Sequence, residues 1–261
     1  MNSAKICAFF SLYQGATMFK RLSLYTLLLC LVPIFIWAFG YHWHGNAGLA
    51  DWDYWLYCLT QSGTAPYALV TCAVFALCFR VLFKNNRQWF WGVFIMAFSV
   101  VGTQALKSGM KALFSEPRPF VTYLAEQSPT TTDDFYFHSR DERAEIVQTF
   151  FATQSDTPAW LRSHYAEETG YSFPSGHTIF AATWLMLAVG FAQLLGNRSW
   201  RAKLLIGVIL LWSVLMLVSR VRLGMHYPQD LLAAILGAWV VNSLIFVFYK
   251  IKTAYINFSK R

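Results

Sequence analysis

Six mostly apolar stretches recur along the chain and predict six membrane-spanning helices. A helix needs about 20 such residues, with few or no charges, to cross a bilayer. The predicted spans are 22–40, 65–83, 89–107, 177–196, 204–223 and 230–249. They take up nearly half of the 261 residues, which leaves no room for a second large soluble domain. We therefore predict an all-α bundle of six transmembrane helices that forms one membrane domain over residues 1–261.

The longest polar interruption, residues 115–175, separates the third span from the fourth. Ser139 has the sequence context of a capping box and opens a helix that continues to about Gln154. Pro158 starts a second short helix, which Gly170 ends. Loops of this length are usually functional or folded in their own right, so we predict a lid of two short helices over the outer membrane face.

The shorter connection at 41–64 is rich in tryptophan and tyrosine. Such side chains collect at the boundary between membrane and water, and we interpret this connection as an interfacial aromatic belt. Its members are Tyr41, Trp43, Trp52, Tyr54, Trp55 and Tyr57.

Composition agrees with the apolar pattern and excludes several classes of protein. Only 13% of the residues are charged, against roughly 25% in an average soluble domain, while 56% are hydrophobic. A soluble enzyme, a disordered segment and a coiled coil are therefore excluded. A net charge of +8 is typical of a nucleic-acid binder, but the placement of the charges explains it differently.

Basic and acidic residues are separated by the predicted spans. Thirteen of the 21 lysines and arginines lie in the two termini and in the connections after the second and fourth spans, and none of the 13 acids accompanies them. All the acids lie in the other connections or at their edges, ten of them between Glu116 and Glu168. By the positive-inside rule, both termini face the cytoplasm and the acidic side is periplasmic. The first span is too long for a cleaved signal peptide, so we predict an uncleaved helix.

The first of three polar clusters lies at the outer end of the third span and contains Lys111 and Arg118. If the helix continues, the two cations project from one side about 10 Å apart. Pro117 and Pro119 would instead end the helix and let Arg118 turn inward. Either geometry brings two cations together at the interface, where they would otherwise serve as snorkelling anchors.

The second cluster, Ser175, Gly176 and His177, lies where the long segment enters the fourth span. The start of a helix presents unpaired N–H groups and the positive end of its dipole, which favours an anion. Gly176 allows a ligand to approach the backbone, Ser175 adds a hydroxyl and His177 adds a group that titrates near neutral pH. A bare Ser-Gly-His is also a common coincidence.

The third cluster joins the fifth and sixth spans and contains Arg220, Arg222, His226 and Asp230. Asp230 follows His226 by four residues, so its carboxylate can hold one ring nitrogen protonated and leave the other as a nucleophile or base. A carboxylate in the first turn of a helix is also favoured by the dipole alone. Charges at membrane depth are costly, however, which favours a functional role.

Together the clusters place several cations, two imidazoles and one orienting acid at a single membrane face. Such a set fits a bound phosphate: cations and N–H donors neutralise its oxygens, a nucleophile attacks in line and an acid protonates the leaving oxygen. Metal catalysis is disfavoured because magnesium needs several oxygen ligands and only Asp230 lies beside the cluster. Zinc would be repelled by the arginines, so we predict neither a metal nor another cofactor.

The spacing of these residues resembles the three-part signature of the type 2 phosphatidic acid phosphatase superfamily. The matching segments are Lys111-x6-Arg118-Pro119, Pro174-Ser175-Gly176-His177 and Ser219-Arg220-x5-His226-x3-Asp230. The resemblance implies that His226 is the nucleophile, that Asp230 orients it and that His177 is the general acid. It further implies a phosphate site formed by Lys111, Arg118, Ser175, Gly176 and Arg220, with no metal. Arg222 lies outside the signature and is a candidate headgroup or lipid contact.

The resemblance is to bacterial members and implies an enzyme of the inner membrane. Its implied reaction is hydrolysis of phosphatidylglycerophosphate to phosphatidylglycerol, with further action on phosphatidate, diacylglycerol pyrophosphate and undecaprenyl pyrophosphate. We expect lipid phosphates as partners, with no nucleic acid and no obligate protein partner. Three alternatives stay open: a transporter or flippase that binds an anionic lipid without chemistry, a phosphatase that acts mainly on undecaprenyl pyrophosphate, and a relative that acts on a soluble sugar phosphate or as a haloperoxidase.

Overall fold

The computed structural model describes the backbone of residues 3–259 and the side chains of residues 16–249, and all regular structure within them is helical. This confirms the predicted all-α class. Five helices are long: α1 (Ser3–Ala38), α4 (Asn86–Leu113), α9 (Gly176–Leu194), α10 (Trp200–Arg222) and α11 (Pro228–Ser259). Six are shorter: α2 (Asp51–Gln61), α3 (Tyr67–Cys78), α5 (Pro119–Glu126), α6 (Thr132–Phe137), α7 (Arg140–Ala152) and α8 (Ala159–Glu167).

The five long helices each contain a stretch that is long and apolar enough to cross a membrane. Within the described residues these candidate spans are Ala16–Ala38, Asn86–Leu113, Gly176–Leu194, Trp200–Arg222 and Pro228–Tyr249. They correspond to five of the six predicted spans, with ends that differ by up to about six residues.

The second predicted span, 65–83, is shorter in the structure than the sequence indicated. Its helical part is α3 continued by a 3₁₀ turn, Phe79–Leu82, so that 16 residues cover roughly 26 Å. That length falls slightly below the ~30 Å of a hydrocarbon core. The end has a local cause, because Arg80 Nη1 donates to the Phe83 carbonyl oxygen at 2.8 Å, where the backbone becomes extended.

Helix α9 is the centre of the bundle and packs against α1, α4, α10 and α11. Sixteen of its residues are buried, as expected for a helix that is apolar on all sides. Close contact with α11 depends on Gly190, because a Cβ there would lie 2.1 Å from the Phe246 ring. Hydrogen bonds from Thr183 to Thr103 (3.1 Å) and from Ser99 to Asn242 (2.8 Å) fix α4 against α9 and α11.

The segment 115–175 contains four helices rather than the two predicted. α7 and α8 confirm the prediction, and the Ser139 capping box is present. α5 and α6 were missed because each has fewer than nine residues and no long apolar period. The segment has its own core, in which Phe120 stacks on Tyr165 with ring centroids 4.4 Å apart.

The connection 41–64 also contains a helix, α2, which the interpretation as an aromatic belt did not include. Trp55 is 71% exposed and Trp52 52% exposed, as membrane anchors would be. Trp43 instead packs edge-on against Tyr123 of α5, with ring centroids 5.4 Å apart. Part of the belt therefore belongs to the core of the 115–175 segment.

Candidate active site

Lys111 and Arg118 lie close to each other because the chain turns between them. α4 ends two residues after Lys111, and Pro119 is the first residue of α5. Of the two geometries left open by the sequence, the structure has the one in which the helix ends. Lys111 Nζ donates to the Tyr171 carbonyl oxygen at 2.5 Å and Arg118 Nε donates to that of Gly170 at 2.7 Å. Both cations are thus held by the end of the 115–175 segment.

The second cluster lies at the N-terminus of α9. Ser175 is its N-cap, and its hydroxyl accepts the N–H three residues later at 3.4 Å. Gly176 is the first helical residue, and a Cβ there would lie 3.1 Å from Lys107 Cδ. His177 Nε2 lies 2.8 Å from the hydroxyl oxygen of Thr64, in the turn after α2. The predicted helix start is present, while the Ser175 hydroxyl is buried in the cap.

His226 and Asp230 form a hydrogen-bonded pair where α11 begins, as the sequence predicts. His226 Nδ1 lies 3.1 Å from Asp230 Oδ2, which also accepts from the Tyr227 amide at 3.0 Å and from the Ser172 hydroxyl. Since an ionised carboxylate can only accept, it favours the proton on Nδ1 and leaves Nε2 unprotonated, with a lone pair. His226 Nε2 faces Arg118 Nη1 at 3.4 Å.

Burial lowers the pKa of His226 well below its usual range, and the charges of Arg118, Arg220 and Lys111 lower it further. The imidazole is therefore neutral at pH 7. A neutral ring with its Nε2 lone pair directed at a cluster of cations is suited to attack a bound phosphorus atom.

Glu168 joins the cations of the site. Its Oε2 lies 3.0 Å from Arg220 Nη2 and 3.2 Å from Arg118 Nη2, and its Oε1 lies 3.7 Å from His177 Nε2. Burial by itself would raise the pKa of Glu168, but Arg220, His177 and Arg118 outweigh it and hold that pKa well below its usual range. An ionised carboxylate therefore occupies the centre of the cationic cluster.

Arg220 is fully buried and reaches the site through Glu168. Its other contact is His164 of α8, whose Nε2 lies 3.3 Å from Arg220 Nη1. Burial lowers the pKa of His164 to about 4, so this ring is neutral and accepts from the guanidinium. His164 fixes the direction in which Arg220 presents its remaining N–H groups.

A cavity of about 590 Å³ brings these groups together with apolar surface from the spans. Its polar end is lined by Lys107, Lys111, Arg118, Glu168, Gly176, His177 and His226. Its apolar end lies between α3 and α4 and is lined by Ala68, Leu69, Cys72, Val100 and Phe180. The cavity therefore combines a site for an anion with a path for an apolar chain.

Five of the eight predicted site residues line this cavity, and three lie directly behind it. Lys111, Arg118, Gly176, His177 and His226 are at its wall. Ser175 caps the helix that carries His177, Arg220 contacts Glu168 and Asp230 contacts His226. The structure thus collects the whole predicted set in one place.

Five further residues of the site were missed by sequence reasoning: Thr64, Lys107, His164, Glu168 and Ser172. Glu168 and Ser172 precede His177 by nine and five residues, and an acid so close to the second motif was a usable signal. No pattern connects Thr64 or His164 with the motifs, since both come from separate helices or turns.

Arg222 does not reach the cavity. Its Nε and Nη2 donate to the two carboxylate oxygens of Asp53 at 2.9 and 2.8 Å, and its guanidinium lies over the Trp52 ring at 5.3 Å. The arginine thus ties the end of α10 to α2 and has a structural role rather than that of a headgroup contact.

Within the described residues, no three His, Cys, Asp or Glu side chains converge in a way that could hold a metal ion. The described residues thus form a helical membrane bundle in which a His–Asp pair, a second histidine and several cations converge, which is the set of groups that a bound phosphate requires.

Comparison with known proteins gives the family. Residues 92–254 match the family model described as the PAP2 superfamily, and the chain belongs to this superfamily. It is 64% identical over 239 residues to a phosphatidylglycerophosphatase B of Haemophilus influenzae, which covers 92% of this chain and 99% of the relative. It is 36% identical over 230 residues to the protein of that name from Escherichia coli K12, with 85% of each chain covered.

Proposed function

We propose that this protein is a membrane lipid phosphatase that converts phosphatidylglycerophosphate to phosphatidylglycerol and phosphate. The observation that carries the proposal is the cavity, in which the His226–Asp230 pair lies at a cationic end and apolar helix surface forms the other. Family membership and the names of the two relatives support the same substrate. Phosphatidate, diacylglycerol pyrophosphate and undecaprenyl pyrophosphate share the phosphate and the apolar tails and are further substrates.

The reaction follows from the positions of the two histidines. His226 Nε2 attacks phosphorus and forms the N–P bond while the bond from phosphorus to the leaving oxygen breaks in line. His177 acts in its doubly protonated form, which the negative charge of the bound phosphate favours, gives its Nε2 proton to that oxygen and becomes a neutral imidazole. In the second step His177 takes a proton from water, the water oxygen attacks phosphorus and the N–P bond breaks. Phosphate is released and His226 is restored, with Asp230 holding its Nδ1 proton throughout.

Binding of phosphate requires that the Glu168 carboxylate releases the two arginine side chains that it contacts. Lys111, Arg118 and Arg220, with the N-terminus of α9 at Ser175 and Gly176, are the groups we assign to the phosphate oxygens. Arg118 and Arg220 now hold the Glu168 carboxylate. A phosphate dianion brings more charge and more acceptor oxygens, so it replaces the carboxylate at the two guanidinium groups.

We place the enzyme in the bacterial inner membrane, with both termini in the cytoplasm and the site at the periplasmic face. The separation of basic from acidic connections supports this orientation. The opening between α3 and α4 lets a lipid enter from the side with its tails still in the bilayer. The 115–175 segment covers the site as a lid. The apolar end of the cavity favours a lipid over a soluble sugar phosphate.

The proposal is tested by assaying the purified protein with phosphatidylglycerophosphate in the presence of a chelator. We expect release of phosphate by the wild type and a loss of about 10³-fold or more in His226→Ala, because the nucleophile is removed. Full activity of His226→Ala would contradict the assignment of the nucleophile.

A second measurement separates the phosphatase from a lipid transporter or flippase. Acid quenching destroys phosphohistidine, so the reaction with terminally labelled lipid is stopped in alkali and the label is traced to a peptide. We expect it on His226 and not in His226→Ala. Transfer of lipid across a vesicle bilayer without such labelling would favour the transporter. Comparing rates on phosphatidylglycerophosphate and undecaprenyl pyrophosphate in one preparation identifies the preferred substrate.

A further inference from the structure

The turn between α2 and α3 brings two residues against the ring of His177. Thr64 Oγ1 lies 2.8 Å from His177 Nε2 and belongs to the wall of the cavity. A Cβ on the preceding residue, Gly63, would lie only 2.8 Å from His177 Cδ2. Both residues precede the three motifs and the stretch 92–254 that matches the family model. The contact therefore comes from outside the motifs that carry the other site residues.

The direction of the hydrogen bonds at Thr64 follows from its second partner. Its hydroxyl donates to the carbonyl oxygen of Thr60 at 3.3 Å, and a carbonyl can only accept. A hydroxyl has one proton, so when Thr64 donates it to Thr60 it offers His177 a lone pair and the ring supplies the proton. The Glu168 carboxylate, whose Oε1 lies 3.7 Å from the same nitrogen, also favours a proton there. The contact favours a proton on Nε2 and disfavours the tautomer whose Nε2 is bare. A general acid needs its proton on this atom when substrate arrives.

The turn itself is held firmly from two sides. Thr71 of α3 donates its hydroxyl to the Ser62 carbonyl oxygen at 2.7 Å, and Trp212 of α10 donates to the Ser62 hydroxyl at 3.0 Å. The backbone at Gly63 can therefore lie against the ring without room for a side chain. A rigid support of this kind fixes the orientation of the imidazole as well as its proton.

We propose that Thr64 is a positioning residue for His177, which it holds with the proton of Nε2 at the polar end of the cavity. The inference rests on the proposed function. In the free enzyme the Thr64 oxygen stands in for the leaving oxygen. When substrate binds, the leaving oxygen replaces it, the bond from phosphorus to that oxygen breaks and the Nε2 proton moves onto the oxygen.

The test uses two lipids with the same tails and different leaving groups. Phosphatidate releases an alcohol, which is about as weak an acid as water and must be protonated as it leaves. Diacylglycerol pyrophosphate releases a phosphate monoester with a pKa of about 6, which leaves without help. Because the tails are identical, the two lipids should enter the cavity equally well. A variant in which His177 is a poorer general acid should therefore lower the rate on phosphatidate selectively.

We expect Thr64→Val, which keeps the shape and removes the hydroxyl, to lower kcat on phosphatidate about tenfold or more. On diacylglycerol pyrophosphate we expect a change of less than about threefold, with KM unchanged on both lipids. Thr64→Ser keeps the hydroxyl and should stay close to the wild type. Gly63→Ala displaces the ring and should show the selectivity of Thr64→Val. His177→Asn removes the general acid itself and should show the largest selective loss of kcat on phosphatidate.

An equal loss on both lipids in Thr64→Val, or no loss on either, would overturn the role of Thr64. So would a Thr64→Ser variant as impaired as Thr64→Val. Failure of the proposed function has a different pattern: wild type that hydrolyses neither lipid, or His177→Asn that slows both lipids equally. Equal thermal midpoints of the variants in detergent confirm that the comparison is between folded proteins.

Discussion

Glu168 occupies, in the free protein, the position that we assign to the phosphate. Its carboxylate joins Arg118, Arg220 and His177, three groups that would otherwise be buried near one another without an anion. Uncompensated charges of this kind are costly in a buried site. The carboxylate therefore keeps the empty site stable and competes with the substrate for the same donors.

Replacing Glu168 by Gln should strengthen the binding of phosphate. The amide lacks the charge that holds the two guanidinium groups, so we expect the inhibition constant of inorganic phosphate to fall about tenfold, or roughly 1.4 kcal/mol. Glu145→Gln is the matched control, since it makes the same charge change on an exposed side chain that does not line the cavity. An unchanged or weaker affinity in Glu168→Gln, measured at one pH and salt concentration, would contradict competition by this carboxylate.

Contacts between single residues were predicted well where the two partners lie only a few positions apart in the sequence. The four-residue step from His226 to Asp230 is one helical turn, so their contact followed from the sequence alone. Arg222, two residues from Arg220, was a candidate for the site, but it lies on another side of α10 and meets Asp53. Which of two nearby residues on a helix faces the site depends on the neighbours against which the helix packs.

At the scale of elements, α2 is held by one ion pair. Arg222 at the end of α10 binds both oxygens of Asp53, whose side chain is fully buried. Asp53 Oδ2 also accepts from the Ala50 amide at 2.8 Å, which closes the first turn of α2. The pair therefore links a transmembrane helix to the helix that leads to the turn at Thr64.

Replacing Arg222 by Lys should destabilise the protein without preventing phosphate binding. Lysine cannot bind both carboxylate oxygens in the planar geometry of a guanidinium. We expect a loss of about 2 kcal/mol, or a decrease of roughly 4–8 °C in the thermal midpoint. Arg198→Lys, on an exposed connection, is the control and should change the midpoint little. A midpoint equal to the wild type would show that the pair is not a stabilising link.

Long helices were predicted from the sequence more reliably than short ones. An apolar run of about 20 residues that crosses a bilayer forms a helix, because every backbone N–H and C=O group must be hydrogen-bonded within the segment. The short helices α5 and α6 form because Phe120 and Phe135 can be buried in the core of the 115–175 segment. The sequences of these two short helices do not by themselves show that this core exists.

At the scale of the whole molecule, the site lies at one end of the bundle. α4 and α10 end there, while α9 and α11 begin there, so residues distant in the chain meet at a common depth. Basic residues lie at the other ends of these helices, with Arg87 in the first turn of α4 and Arg201 in the first turn of α10. Together with the positive-inside rule, this arrangement supports a periplasmic site.

The orientation is tested by labelling single cysteines, introduced into a cysteine-free variant, with a membrane-impermeant thiol reagent. In intact cells we expect labelling of Asp133→Cys, in the lid segment, and none of Gln88→Cys, at the start of α4. After permeabilisation both should react, since both side chains are exposed. The reverse pattern in intact cells would place the site at the cytoplasmic face.

The sequence by itself determined the helical class, five of the spans, the separation of charge and the residues of the three motifs. These features depend on the length of apolar runs and on spacings within a few turns, and both are local properties. Tertiary structure alone decided which distant groups meet: Glu168 with Arg118 and Arg220, Thr64 with His177 at 113 residues' separation, and Asp53 with Arg222 at 169. Such contacts depend on how helices pack, and no periodicity along the chain encodes them.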